Sequence, residues 1–204
     1  MIAPFPRRVV YSIGDSLIGT DASDGQPLFF LRAALGEDVY LKAQGVGGET
    51  SAQVLARLHQ DVLDRDPKPD ACIVLAGIND IQAAVPAAEI IANLSAIYRQ
   101  LTDAGVKPIA LTIYPFGDHV SWTPGGELTR QHVRDWMHRW LPVELPEVEV
   151  VDVEDVLGDL SDPARPRMRA DYVDRTGLHT NPAGAAAVAR ALVERSRTLA
   201  GSQG

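Results

Sequence analysis

Gly14-Asp15-Ser16-Leu17 closes the first apolar run of this chain, Arg8-Val9-Val10-Tyr11-Ser12-Ile13. A serine that leaves a buried strand through a glycine turn stands where a nucleophile is exposed at the carboxyl edge of a sheet. Ester cleavage by such a serine needs a base to take its proton, donors for the oxyanion and a group that orients the base. Candidates follow in Gly45-Val46-Gly47-Gly48-Glu49-Thr50, Gly77-Ile78-Asn79-Asp80 and Thr176-Gly177-Leu178-His179. Glycines at 47 and 48 let a backbone amide approach a tetrahedral centre without Cβ interference. Asn79 follows the apolar run Ile73-Val74-Leu75-Ala76, so its amide can project from a strand end and donate to the same oxyanion. Each block also has a plainer duty: a helix cap for Ser16, a helix-entry turn for the glycines, an Asx turn for Asn79 and a capping or surface place for His179. Asp15 is read as bracing its turn through backbone hydrogen bonds.

These blocks sit at the ends of alternating elements. Strands are expected at Val9–Ile13, Val39–Ala43, Ala71–Ala76, Pro108–Ile113 and Glu149–Val153. Apolar residues recur at helical spacing between and after them, as Val54, Leu55, Leu58 and Val62, as Ile90, Ile91, Leu94, Ile97, Tyr98 and Leu101, and as Val133, Trp136, Met137 and Trp140. A last stripe, Ala185, Val188, Ala189, Leu192 and Val193, starts at Asn181-Pro182, where Asn caps and Pro occupies the first helical position. Strands alternating with helices predict a mainly five-stranded parallel sheet inside a three-layer α/β/α sandwich, flavodoxin-like in topology, and the 204 residues suit one domain over 1–204. Two irregular stretches, Phe116 to Glu127 and Asp159 to Leu178, are candidates for the walls of the ligand crevice, and Gly201 to Gly204 for a frayed tail.

A formal charge of −8 argues against a surface that tracks phosphates, so no nucleic-acid partner is expected. Gly45-Val46-Gly47-Gly48 lacks the G-x-G-x-x-G spacing and the Lys-Ser/Thr pair of nucleotide loops. No histidine pair shows metal spacing, and neither a metal nor another cofactor is expected. Cys72, the single cysteine, excludes an internal disulfide and reads as a small hydrophobe in a buried strand. Met1 to Pro6 passes almost at once into the first strand, leaving no room for a signal peptide, and no stretch suits a membrane span; the expectation is a cytoplasmic chain.

The four blocks, in this order, resemble the signature of the SGNH (GDSL) hydrolases, a family of serine esterases and lipases. The resemblance runs over nearly the whole chain, including Leu111-Thr112-Ile113-Tyr114-Pro115-Phe116-Gly117 and Asn181-Pro182-Ala183-Gly184. It implies Ser16 as nucleophile, His179 as base, and the Ser16 amide, Gly48 and Asn79 as oxyanion donors, with Gly48 selected over Gly47 as the glycine before the acidic-Thr pair. It further implies a small acyl ester as substrate: a short-chain ester, an acetylated sugar, a lysophospholipid or a thioester. An acyltransferase using the same acyl-enzyme and a degenerate hydrolase kept as a binding module are the alternatives. One position departs from the pattern. The family usually places Asp three residues before the histidine, where this chain has Thr176. A threonine hydroxyl can hold the imidazole tautomer but brings no charge. Thr176 is the expected neighbour, Asp174 the nearest carboxylate that could substitute, and a backbone carbonyl the third option.

Overall fold

The structure, a computed structural model, describes residues 8–19 and 25–200; the Met1–Pro6 segment and the Gly201–Gly204 tail lie outside the described residues. Five parallel strands, β1 (Arg8–Gly14), β2 (Val39–Gly45), β3 (Ala71–Leu75), β4 (Lys107–Leu111) and β5 (Glu149–Val151), lie in the order β2-β1-β3-β4-β5. That is the flavodoxin-like order with its switch point between β1 and β3, where the chain reverses direction across the sheet and opens a crevice at the carboxyl ends. Every residue of β3 is buried, Cys72 included, because helices cover both faces of a central parallel strand.

The helices form two groups. On one side α1 (Pro27–Leu35) packs on α8 (Pro182–Arg195), flanked by α7 (Glu154–Leu157) and α9 (Arg197–Ala200). On the other, α2 (Ser51–Ala56) meets α4 (Ala87–Asp103), which meets α5 (Pro124–Arg139); α3 (Ile78–Gln82) and α6 (Leu141–Glu144) are short pieces against α5. Val54, Leu58 and Val62 are all fully buried although α2 ends at Ala56, because the chain resumes as one π-helical turn over His59–Leu63. Side chains of this size each stabilise by about 1.5–3 kcal/mol when buried. Among the described residues no helix is long and apolar enough to cross a membrane.

Several expectations need correction. Pro124-Gly125-Gly126-Glu127 belongs to the first turn of α5 and not to a loop: the Thr123 hydroxyl accepts from the Gly126 amide at 3.0 Å, and the proline starts the helix. Trp140 does not extend the buried stripe of Val133, Trp136 and Met137. It is the C-cap of α5, 62 % exposed, and Leu141 takes the interior place after the turn into α6. β4 ends at Leu111: the Thr112 amide still bonds the Val151 carbonyl at 3.2 Å, and beyond it the Thr112 hydroxyl takes over, donating to Asp152 and accepting from the Val153 amide. The stretch from Asp159 to Leu178 is not wholly irregular: β6 (Gly158–Asp159) pairs with β7 (Arg167–Met168), and Val173 bridges Thr180.

At the carboxyl end of the sheet Arg130 of α5 is fully buried. Its guanidinium donates to both oxygens of Glu127 at 3.0 and 2.8 Å, to both oxygens of Glu154 at 2.5 and 2.9 Å, and to the carbonyl of Ile113 at 3.1 Å. Burial alone would lower its pKa; the hydrogen bonds with Glu154 and Glu127 reverse that and raise it. α5, α7 and the segment leaving β4 are thereby tied at one point.

Candidate active site

β1 and β3 run side by side until Gly14, where the sheet lets the first turn out. A Cβ at Gly14 would stand 1.9 Å from the Leu75 carbonyl oxygen, and φ is +156°, so only glycine permits the Asp15 amide to bond that oxygen at 3.2 Å. The turn is then braced from inside. The Leu17 amide donates to Asp15 Oδ1 at 2.9 Å, as expected for this residue. Burial pushes the Asp15 carboxyl up to about 7, against the lowering effect of that amide and with Asp80 and Glu49 adding to the rise. Ser16, the next residue, is half-buried at the crevice.

The second block is fastened to the first. Val46 donates its amide to the Gly14 carbonyl at 3.0 Å, and Arg57 reaches back to bond that carbonyl at 2.8 Å and the Glu49 carboxylate at 2.5 Å. Val46 to Glu49 form a turn closed by the Glu49 amide at 3.4 Å, with Gly48 at φ +83°, the value a type II turn requires of its third residue. A Cβ on Gly48 would meet no protein atom within 4 Å, so within the fold itself it is the positive backbone angle that calls for glycine. The amides of Ser16 and Gly48 donate to no acceptor among the described residues.

Asn79 stands in the first turn of α3 and not on the strand end itself. One Nδ2 proton goes to the Glu49 carbonyl at 2.8 Å, which joins the second and third blocks and leaves the other proton unassigned. Its neighbour Asp80, 1 % exposed, accepts from the Ser51 amide at 2.7 Å and the Ser51 hydroxyl at 2.6 Å, and Asn93 donates to that hydroxyl at 3.0 Å. Asp80 therefore caps α2 from a distance.

His179 arrives on the loop before α8, whose start matches the sequence expectation: Asn181 Oδ1 accepts from the Ala183 and Gly184 amides at 2.9 and 3.1 Å. His179 Nε2 lies 2.9 Å from Ser16 Oγ across 163 residues of chain. On the far side of the ring Nδ1 lies 3.4 Å from Thr176 Oγ1. Asp174, the carboxylate that could substitute, does not bond the ring but bonds Thr176. Its Oδ1 accepts from the Thr176 hydroxyl at 2.5 Å and from the Thr176 amide at 2.8 Å.

Ser16, Leu17, Gln26, Asp174, His179 and Thr180 line a cavity of about 210 Å3. A larger one, about 720 Å3, lies among Arg8, Lys68, Asp70, Lys107 and Arg197, near the amino ends of the strands, and contains none of these groups. Size alone would choose the wrong end of the sheet. The sequence left Arg57, which joins two of the blocks, and His119, which had no motif around it, unmarked, and gave no role to Asp80, which fastens the third block to the start of α2. Burial and the charge of His179 both lower the His119 pKa, and its Nδ1 lies 2.7 Å from Ser121 Oγ. Only the aspartate of the Gly-x-Asn-Asp block carried a signal in advance.

Comparison with known proteins gives the family and the fold. The model of the GDSL-like Lipase/Acylhydrolase family matches residues 12–187. No curated relative matches the chain in sequence. Among solved structures, a G-D-S-L family protein from Desulfitobacterium hafniense superposes with a TM-score of 0.74 at 18 % identity, covering 91 % of this chain and 99 % of the other. An acetyl xylan esterase gives 0.70 at 18 % identity, covering 91 % and 98 %. The psychrotrophic esterase EstA of Pseudoalteromonas sp., solved inhibited by monoethylphosphonate, gives 0.67 at 16 % identity, covering 95 % and 99 %.

Proposed function

Since the chain belongs to the GDSL-like lipase/acylhydrolase family and is an ester hydrolase, we propose that it cleaves short-chain carboxylic esters through an acyl-enzyme on Ser16. The 2.9 Å approach of Ser16 Oγ to His179 Nε2 carries this reading. His179 takes the hydroxyl proton at Nε2 as Oγ attacks the carbonyl carbon, then returns it to the departing alkoxide; water repeats the sequence on the acyl-enzyme and restores Ser16. The Ser16 and Gly48 amides, unspent among the described residues, and the second Nδ2 proton of Asn79 stabilise the oxyanion. A cavity of about 210 Å3, walled partly by Gln26, Asp174 and Thr180, suits an acetyl-sized acyl group better than a fatty chain.

A fluorophosphonate probe tests the mechanism, because it forms a tetrahedral adduct on an activated serine and nowhere else in such a site. Stoichiometric labelling at Ser16 with loss of p-nitrophenyl acetate turnover is the expected result; turnover that survives full labelling of Ser16 overturns it. Asn79→Ala is expected to lower kcat by about 10²- to 10³-fold with little change in KM, since the donated bond strengthens only as charge develops. An effect confined to KM would assign Asn79 to ground-state binding instead.

A further inference from the structure

We infer that Asp174 is a positioning residue that supplies the missing negative charge to His179 through the hydroxyl of Thr176; the inference rests on His179 being the base. A threonine hydroxyl has one proton and two acceptor sites. At neutral pH a carboxylate only accepts, so the 2.5 Å contact between Thr176 Oγ1 and Asp174 Oδ1 commits that proton to Asp174. The hydroxyl oxygen is then left to accept. It does so from the Leu178 amide at 3.2 Å and, at 3.4 Å, from His179 Nδ1. An Nδ1–H tautomer follows, and with it an Nε2 lone pair facing the Ser16 hydroxyl 2.9 Å away. The hydrogen bonds therefore run in one direction from Ser16 to Asp174.

Backbone contacts hold the arrangement in register: the Asp174 amide donates to the His179 carbonyl at 2.9 Å, and Val173 bridges Thr180 at the base of the turn. No proton leaves Thr176 during the reaction. The ring receives the Ser16 proton at Nε2, keeps its own at Nδ1, and the resulting imidazolium faces a dipole whose far end is anionic. Because the charge sits one hydroxyl away, and Thr176 is exposed, solvent screens it more than a carboxylate in direct contact. Among the described residues Ser16 from the β1 turn also faces the ring, and His119 from the loop after β4 is near enough to interact with it electrostatically.

Thr176→Val, Asp174→Asn, the double variant and His179→Ala, assayed on p-nitrophenyl acetate across pH, separate the possibilities. Asn keeps an acceptor for both Thr176 bonds and removes only the charge. Asp174→Asn is expected to lower kcat/KM by about tenfold through kcat and to move the acidic limb of the profile to lower pH, because the neutral ring persists further down once the anion is gone. Thr176→Val should cost at least as much. In that background Asp174→Asn should change activity by less than about twofold, since Asp174 acts only through the hydroxyl. Thr176→Asp should restore activity to the Asp174→Asn variant. Losses that multiply in the double variant, or an Asp174→Asn enzyme with the parent's rate and profile, overturn the relay while leaving His179 as base. An active His179→Ala variant overturns the base assignment itself.

Discussion

Ser16→Ala is expected to reduce p-nitrophenyl acetate turnover by about 10⁴- to 10⁶-fold while the protein stays folded. The residual rate would come from the oxyanion donors, which remain in place, acting on a water attack that has no acyl-enzyme to pass through. His179→Ala should fall into the same range, and combining the two should cost nothing further, because a nucleophile and its base act as one unit. Neither change opens a core void, since both side chains are only half-buried at the crevice and their backbone turns are held by other groups, Leu17 to Asp15 and Asp174 to His179. Steady-state kinetics beside thermal unfolding checks both halves of the statement. A folded Ser16→Ala protein with undiminished turnover would place the chemistry elsewhere.

Arg130→Met is expected to destabilise the fold by about 3–5 kcal/mol, read as a lower denaturant midpoint at unchanged slope. The substitution fills much of the same volume but strands the carboxylates of Glu127 and Glu154, both nearly buried, with one cation gone from between them. Arg134, 3.7 Å from Glu154, compensates only in part. Arg130→Lys should be nearly as costly, for an ammonium cannot serve both forks and the Ile113 carbonyl at once. Replacing Arg130, Glu127 and Glu154 together by apolar residues should recover most of the loss, which separates the cost of orphaned charge from the worth of the cluster. A loss below about 1 kcal/mol for Arg130→Met would show the carboxylates finding water or each other.

Much of the site was legible because its parts are local. A glycine turn after an apolar run, an Asn-Pro helix start and the strand cores each depend on a few adjacent residues, and each stands where the pattern put it. α1 was not foreseen, because Pro27 to Leu31 is continuously apolar and a run without polar interruptions has no period to read. Its buried positions, Leu28, Leu31 and Leu35, show the helical spacing only once the exposed ones are known. Arg57 and Arg130 act over long sequence distances, 43 residues to Gly14 and 24 to Glu154, and no spacing rule links such partners. The place of Asp174 was missed for another reason. Spacing alone makes Thr176 and Asp174 alternatives for one contact, whereas a hydroxyl accepts on one side and donates on the other, and the Asx-type turn between them sets the two in series.

Cys72 gives the chain an internal clock. The thiol sits near the start of β3, beside Tyr11 of β1 and Pro108 of β4, and burial pushes its pKa up, so a disulfide reagent in solution meets neither the sulfur nor a thiolate. Modification must wait until the helix layer over the sheet lifts off or the central strand itself opens. Its rate at low denaturant therefore reports the free energy of that opening, and with one cysteine in the sequence the signal has a single source. Variants at the crevice that alter catalysis alone should be captured by the reagent as slowly as the parent. Arg130→Met, by contrast, should be captured sooner if the tie it breaks belongs to the same cooperative unit as β3.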